Sequence, residues 1–272
     1  MTIDSPVAYG TLLIRILVRN NGSDLAQVRE IIDSCNLTKA EGRQRLLDTD
    51  IPPLSLATFA NISAASVPVG LLELTARTLD TCPPFNVTNP ASVVRELEAA
   101  GVYGSSYHSH ADVNLTASTN DALAALSASA ATNFLELNNG WVRLVLQGLY
   151  SNNYLARAYV AATGYLALVE SEVIYPSFSG ANLSLASKEA YLYTFSTKPP
   201  LGTTGFWSLT MYNTEGFLVA NPLNVYAIGD RSNLTYPDGS PVYGTESSTS
   251  DGSFQVLIQS AANPPPANWT QK

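Results

Sequence analysis

The sequence predicts an α+β protein, with several helices preceding an antiparallel β-sandwich of jelly-roll type in the C-terminal half. Three observations predict it. Residues 90–169 carry helical punctuation around Ala- and Leu-rich runs. After Tyr175-Pro176 the texture becomes alternating and turn-rich. Helices precede strands and do not alternate with them, which excludes a parallel βαβ design. The clearest unit is Phe206-Trp-Ser-Leu-Thr-Met-Tyr-Asn213, with Trp207, Leu209 and Met211 on one face and Phe206, Ser208, Thr210 and Tyr212 on the other. The connector 213–216 is polar and ends in glycine, which suits a hairpin turn into 217–221. Trp207, Leu209 and Met211 are expected to be buried against the helices of 90–169.

From the N-terminus, residues 9–19 alternate Leu12, Ile14, Ile16 and Val18 against Leu13, Arg15, Leu17 and Arg19, the pattern of a strand. No strand precedes it, so its ladder groups need a partner later in the chain or outside it. Asn20-Asn-Gly22 turns the chain, and Asp24 with Gln27 three residues on opens a helix to about Cys35. Residues 41–89 are irregular, punctuated by Pro52-Pro53 and Pro83-Pro84, with a short helix or strand at 71–79. Residues 1–85 thus carry a strand, a helix and an irregular linker. Residues 86–272 carry helices over 90–169 and a β-sheet over 189–260. Asn89 caps its first helix, with Pro90 at the first helical position and Gly101 just past the end. A second helix is expected over 119–137, broken by Asn138-Asn-Gly-Trp141, and a third over 152–169, weakened at Gly164. Strands are expected near 189–197, 205–212, 217–220, 223–229 and 253–259, with turns at Asp238-Gly239 and Asp251-Gly252.

Composition narrows the partners. Charged residues are 13% of 272 and apolar residues 46%, a globular balance. A net charge of −8 leaves no basic stripe, which argues against nucleic acid or an anionic membrane as partner. No apolar run approaches the roughly 20 residues of a membrane span. N-x-S/T sequons occur at Asn21, Asn36, Asn61, Asn86, Asn114, Asn182, Asn233 and Asn268. Chance predicts roughly four in a chain so rich in Asn, Ser and Thr. Cys35 and Cys82 are few but even in number, and a disulfide between them would add roughly 4 kcal/mol in the chain-entropy picture. Together these features point to a secreted glycoprotein. Met1-Thr-Ile-Asp-Ser-Pro has neither the basic nor the apolar region of a signal peptide. The expectation is that the export signal has been lost by truncation.

Few residues offer chemistry. His108, His110 and Asp112 would share one face of an extended segment and could form a metal triad, but a solvated polar loop is the preferred reading. No Gly-x-Ser-x-Gly elbow or phosphate loop is present, and neither cysteine has an evident base. Glu170 and Glu172 could act as paired carboxylates, although a solvated acidic edge is preferred. Tyr150, Tyr154, Tyr159, Tyr165 and Tyr175, with Trp141 nearby, read as rim-bonded core residues before ligand-stacking ones. Arg157, in an apolar helix, needs a partner if buried, such as Glu136 or Asp230. Trp141, Tyr154, Arg157, Tyr175 and Asp230 are the residues expected around any pocket, and no cofactor is implied.

Asn139-Gly-Trp141, Tyr154-Leu-Ala-Arg-Ala158, Tyr175-Pro176, Phe206-Trp-Ser-Leu-Thr-Met-Tyr212, Asn221-Pro222, Tyr226-Ala-Ile-Gly-Asp230 and Asp251-Gly252 stand in this order. The set resembles a two-part family of domains of unknown function, numbered twelve-fifty-four and twelve-fourteen. The likeness to its second domain covers about residues 90–269, and 9–37 look like the closing strand and helix of the first, so the resemblance implies that 1–85 is the remnant of a first β domain and 86–272 the second domain. The cysteines and sequons look like the secreted fungal branch. The resemblance implies two jelly-roll-like domains and supplies no reaction, cofactor or catalytic residue. Family members continue past the Asn268-Trp269 position, so a fragment is expected. The function read from the sequence is a secreted, glycosylated binding or structural module for a small molecule or glycan. The alternative is a secreted hydrolase or tailoring enzyme with its site between the two domains.

Overall fold

The computed structural model describes residues 7–14, 16, 18, 22–36, 38, 51, 53–62, 66–178, 183, 185, 189–203, 205–222, 224–244, 252–265, 267 and 269. The chain divides into two compact units, Met1–Val18 with Asp24–Phe178, and Arg19–Ser23 with Ser179–Lys272. Helices dominate the first and antiparallel strands the second.

In the first unit, no strand forms among the described residues of the stretch 9–19. Residues 9–14 are not assigned to a ladder, and Leu12, Leu13 and Ile14 are exposed; Arg15, Leu17 and Arg19 lie outside the described residues. Alternation alone does not make a strand, which also needs a ladder partner along its length. Helix α1 (Leu25–Ser34) starts as expected, with the Asp24 carbonyl accepting from the Val28 amide at 3.0 Å, although the Asp24 side chain makes no capping bond. The ambiguous stretch at 71–79 is part of a helix, α2 (Val67–Thr78), opened by a proline in its first turn. In α3 (Pro90–Ala99) the Asn89 side chain accepts from the Ser92 amide at 3.1 Å. Gly101 then turns the chain at φ +95°, where a Cβ would lie 2.1 Å from the His108 carbonyl oxygen. That close approach seats the hairpin of β1 (Val102–Tyr103) and β2 (Ser106–Tyr107) beside α3.

The helix expected over 119–137 is divided. It forms as α4 (Leu115–Ala128) and a single turn, α5 (Ala130–Asn133), and then leaves helical geometry as β3 (Phe134–Glu136). β3 pairs antiparallel with β4 (Val142–Leu144), and the Asn133 carbonyl accepts from the Val145 amide at 2.9 Å. The reversal is made by Asn139 and Gly140 at φ +61° and +78°, the left-handed geometry that Asn and Gly tolerate. Ser177 adds a two-bond bridge to Val142, 2.8 Å each way. Helix α6 (Tyr154–Thr163) is capped by Asn153, which accepts from the Ala156 amide at 2.9 Å. It ends at Gly164, short of the expected 169.

The second unit holds β5 (Ala190–Phe195) paired along its whole length with β8 (Phe254–Gln259), Phe195 opposite Phe254. A shorter pair joins β6 (Ser208–Thr210) to β7 (Ala227–Gly229). The turn after β6 forms as expected: the Asn213 amide donates to the Phe217 carbonyl at 2.8 Å, and Gly216 sits at φ +81°. The strand expected at 217–220 reduces to one bridge, Tyr212 to Leu218. Trp207 packs on Phe195, Phe254 and Tyr243 of its own unit, Leu209 is half-buried, and Met211 is exposed. Tyr236, Val242 and Phe254 form the centre of this core. The architecture is thus α+β. Among the described residues its sheets are four two-stranded antiparallel pairs, and they do not close into a sandwich or jelly roll.

Candidate functional site

The best-defined polar construction lies where α4, α5 and α6 of the first unit meet. Asn153 caps α6 through its Oδ1, which leaves its Nδ2 to donate to Asn133 Oδ1 at 2.7 Å. Asn133 Nδ2 donates in turn to Ser129 Oγ at 2.9 Å, and Ser129 Oγ donates to the Leu126 carbonyl at 2.7 Å. Asn133 and Ser129 are both buried. A cap at one helix start is therefore tied to the end of another by neutral hydrogen bonds shielded from water.

Two cavities flank Asn133. The smaller, of about 140 Å³, is partly open and is lined by Thr132, Asn133, Tyr150 and Asn153 together with apolar side chains such as Leu144, Leu146 and Ala156. The larger, of about 310 Å³, is more open and runs between Leu123, Leu126, Phe134 and Tyr159. No carboxylate, ammonium, guanidinium, imidazole or thiol lines either one. The Tyr150 hydroxyl is sealed from solvent and has no hydrogen-bond partner among the described residues. The arrangement suits retention of a small, mostly apolar, uncharged molecule.

Elsewhere in this unit, polar side chains fasten loops. Glu73 accepts from Arg77 Nε at 3.2 Å and Nη2 at 2.9 Å, and its second oxygen takes the Tyr107 amide at 2.7 Å. Arg77 Nη1 donates to the carbonyls of Thr58 and Ala60 at 3.0 and 2.8 Å. The Tyr107 amide first, and the Arg77 bond second, hold the Glu73 carboxyl below its ordinary pKa. Gln147 is buried; it donates to the Leu168 and Val173 carbonyls and accepts from the Tyr175 amide.

The residues named from sequence are scattered. Arg157 pairs with no carboxylate: Nε donates to the Ser151 carbonyl at 2.6 Å, and Nη2 to those of Phe85 and Asn86 at 2.9 Å each. Three main-chain carbonyls take the donors of this guanidinium, and they make Arg157 a loop clamp. Asp230 accepts from the Trp207 amide at 2.9 Å and lies 3.7 Å from Arg231, within the second unit. Trp141 tilts against Phe178 at 5.7 Å, and Tyr154 and Tyr175 are exposed. None of these five lines either cavity. His108 stacks on Tyr103 at 4.4 Å; it, His110 and Asp112 are exposed, and no metal-binding cluster is assembled among the described residues. Glu170 pairs with Arg143 at 2.9 Å, not with Glu172.

The expected disulfide is absent, and Cys35 and Cys82 are free thiols. Each closes a different helix, Cys35 through its amide to Ile31 and Ile32 and Cys82 to Thr78. The sequon residues Asn36, Asn61, Asn86, Asn114 and Asn233 are exposed, while Asn21, Asn182 and Asn268 lie outside the described residues. Asn133, Asn153 and Ser129 were not singled out by sequence. The only signal was an asparagine closing an alanine-rich run, Ala130-Ala-Thr-Asn133.

Fold and site together define the class coarsely: an α+β chain with a small uncharged cavity and no helix among the described residues long and apolar enough to cross a membrane. Residues 176–272, just over a third of the chain, match a family described as "Protein of unknown function (DUF1214)". That match takes in the whole of β5 to β8 and agrees with the twelve-fourteen half of the resemblance drawn from the sequence. No curated protein and no solved structure matches the chain.

Proposed function

We propose that the protein is a secreted, glycosylated binding module that holds a small uncharged molecule beside Asn133. The carrying observation is the neutrality of the cavity walls. Apolar groups and a few amide and hydroxyl groups retain a ligand. General acid–base or nucleophilic catalysis needs a positioned titratable pair, and the lining of the smaller cavity supplies one phenol, Tyr150. Secretion and glycosylation draw support from the exposure of Asn36, Asn61, Asn86, Asn114 and Asn233. Asn61 and Asn86 also sit at φ +63° and +55°, the left-handed geometry that asparagine tolerates. The match over 176–272 and the ordered words of the sequence support kinship with the two-part fungal family. In that reading β5–β8 and β6–β7 are parts of a jelly-roll-type domain.

The test is production in a eukaryotic secretory host, glycosidase treatment, and titration with a panel of small neutral organic molecules followed by ¹H–¹⁵N NMR. The expected result is a drop in mass on deglycosylation, with resonance shifts at Asn133, Val145 and Ala156. A panel in which no compound moves those resonances overturns the binding role, and an unchanged mass overturns glycosylation.

A further inference from the structure

We infer that the smaller cavity selects a five- or six-membered neutral ring bearing a hydrogen-bond acceptor, a carbonyl or ether oxygen. This rests on the binding reading above and deepens it. Size comes first. A cavity of about 140 Å³ compares with the engineered apolar cavity of about 150 Å³ that holds benzene. Polarity follows from which bonds remain unmade.

Each asparagine amide carries two N–H groups. Asn153 Nδ2 spends one on Asn133 Oδ1, and Asn133 Nδ2 spends one on Ser129 Oγ. One N–H remains on each, whereas the Tyr150 hydroxyl is sealed from anything the size of a water molecule and lies out of a guest's reach. The neighbouring hydroxyl, Thr132 Oγ1, already donates to the Ser129 carbonyl at 3.0 Å. The wall therefore has a surplus of donors. A buried donor without a partner is costlier than a half-used carbonyl oxygen, which keeps a second lone pair in either case. An acceptor oxygen on the guest uses that surplus. Because no charged side chain lines the space, a carboxylate or ammonium would lose its hydration without compensation.

The experiment titrates the full chain with cyclopentanone, cyclopentane, cyclopentylammonium and cyclopentanecarboxylate, reading affinity and the side-chain amide resonances of Asn133 and Asn153. Cyclopentanone is expected to bind about tenfold more tightly than cyclopentane, the worth of one net hydrogen bond. It should also shift both amide pairs. Equal affinity for ketone and hydrocarbon, tighter binding of either ion, or ketone binding that leaves both amides unmoved would overturn the acceptor assignment. Cyclopentane shifting Ala156 while the ketone gains nothing sinks only this inference. If none of the four moves the cavity resonances, the binding reading falls with it.

Discussion

The two units are held together by different physics. In the first, the buried apolar residues are small, among them Val28, Ala76, Val102, Ala156 and Val160. Definition comes from side-chain hydrogen bonds: the Asn153–Asn133–Ser129 chain, Glu73 with Arg77, and Arg157 and Gln147 on backbone carbonyls. In the second unit the centre is aromatic, Phe254 lying flat on Phe195 at 4.5 Å and 6° with Tyr236 edge-on at 6.2 Å. Stacked rings fill space by shape and tolerate exchange of one apolar group for another. A hydrogen-bonded chain fills it less completely and tolerates no missing member, because each loss strands a buried donor or acceptor. The two cavities beside Asn133 both flank the polar chain of the first unit.

The largest expected effect is in the aromatic unit. Phe254 is 1% exposed, and Phe254→Ala should cost about 3–5 kcal/mol, as for other buried phenylalanines. Phe254→Leu should recover most of that loss, since volume is what the site needs. Hydrogen exchange followed by mass spectrometry checks both, with protection expected to fall over 190–195 and 254–259. Equal losses for Ala and Leu would mean that ring stacking, not filled volume, governs this core.

Removing Asn133, 6% exposed, should cost less, about 1–3 kcal/mol for the groups left unpaired. Here the apolar substitution should fail to rescue. Asn133→Leu keeps the branched shape, still strands Asn153 Nδ2 and removes the donor to Ser129 Oγ, so it should be no more stable than Asn133→Ala. Urea melts give the comparison. If Asn133→Leu matches the parent protein, the polar chain is not what defines this unit.

That contrast also bears on what could be read beforehand. Strands at 190–195 and 254–259, the turn at 213–216 and the Asn89-Pro90 helix start were legible because alternation, capping and turn chemistry are local signals. The division of the expected 119–137 helix was not, because it depends on Phe134–Glu136 finding Val142–Leu144 across a left-handed turn. The described residues of 9–19 show the converse: their alternation is a local signal, but the ladder a strand needs is not local. The site was least legible. Asn133 and Asn153 stand twenty residues apart, and no periodicity announces that two amides will meet. Conspicuous residues misled, Arg157 above all, whose charge is answered by main-chain carbonyls that any sequence would supply.

The smallest effects separate the units by pH. In the first, Glu73 has its pKa lowered from 4.5, chiefly by the Tyr107 amide and then by the Arg77 bond. A carboxyl lowered by folding contributes stability above its unfolded pKa and loses it as pH falls through the folded value. In the second, burial raises the phenols of Tyr193 and Tyr243 above 10.0, and for Tyr243 the Trp207 indole hydrogen bond works against that rise. A phenol raised by folding contributes stability below 10.0 and loses it as pH climbs through the folded value. Acid should therefore loosen α2 and β2 through Glu73, and alkali should loosen the β5–β8 core. Asp238 is also held low, by the Ser240 hydroxyl and amide, so the second unit has some acid sensitivity of its own. Paired variants isolate the terms. Glu73→Gln should lower stability at pH 7 while flattening its decline below pH 4.5. Tyr193→Phe should flatten only the decline above pH 10.0. Denaturant midpoints from pH 3 to 11 measure both slopes. Parallel acid curves for Glu73→Gln and the parent would remove Glu73 as the acid-sensitive joint, and a shared shift at both extremes would show that the units do not titrate separately.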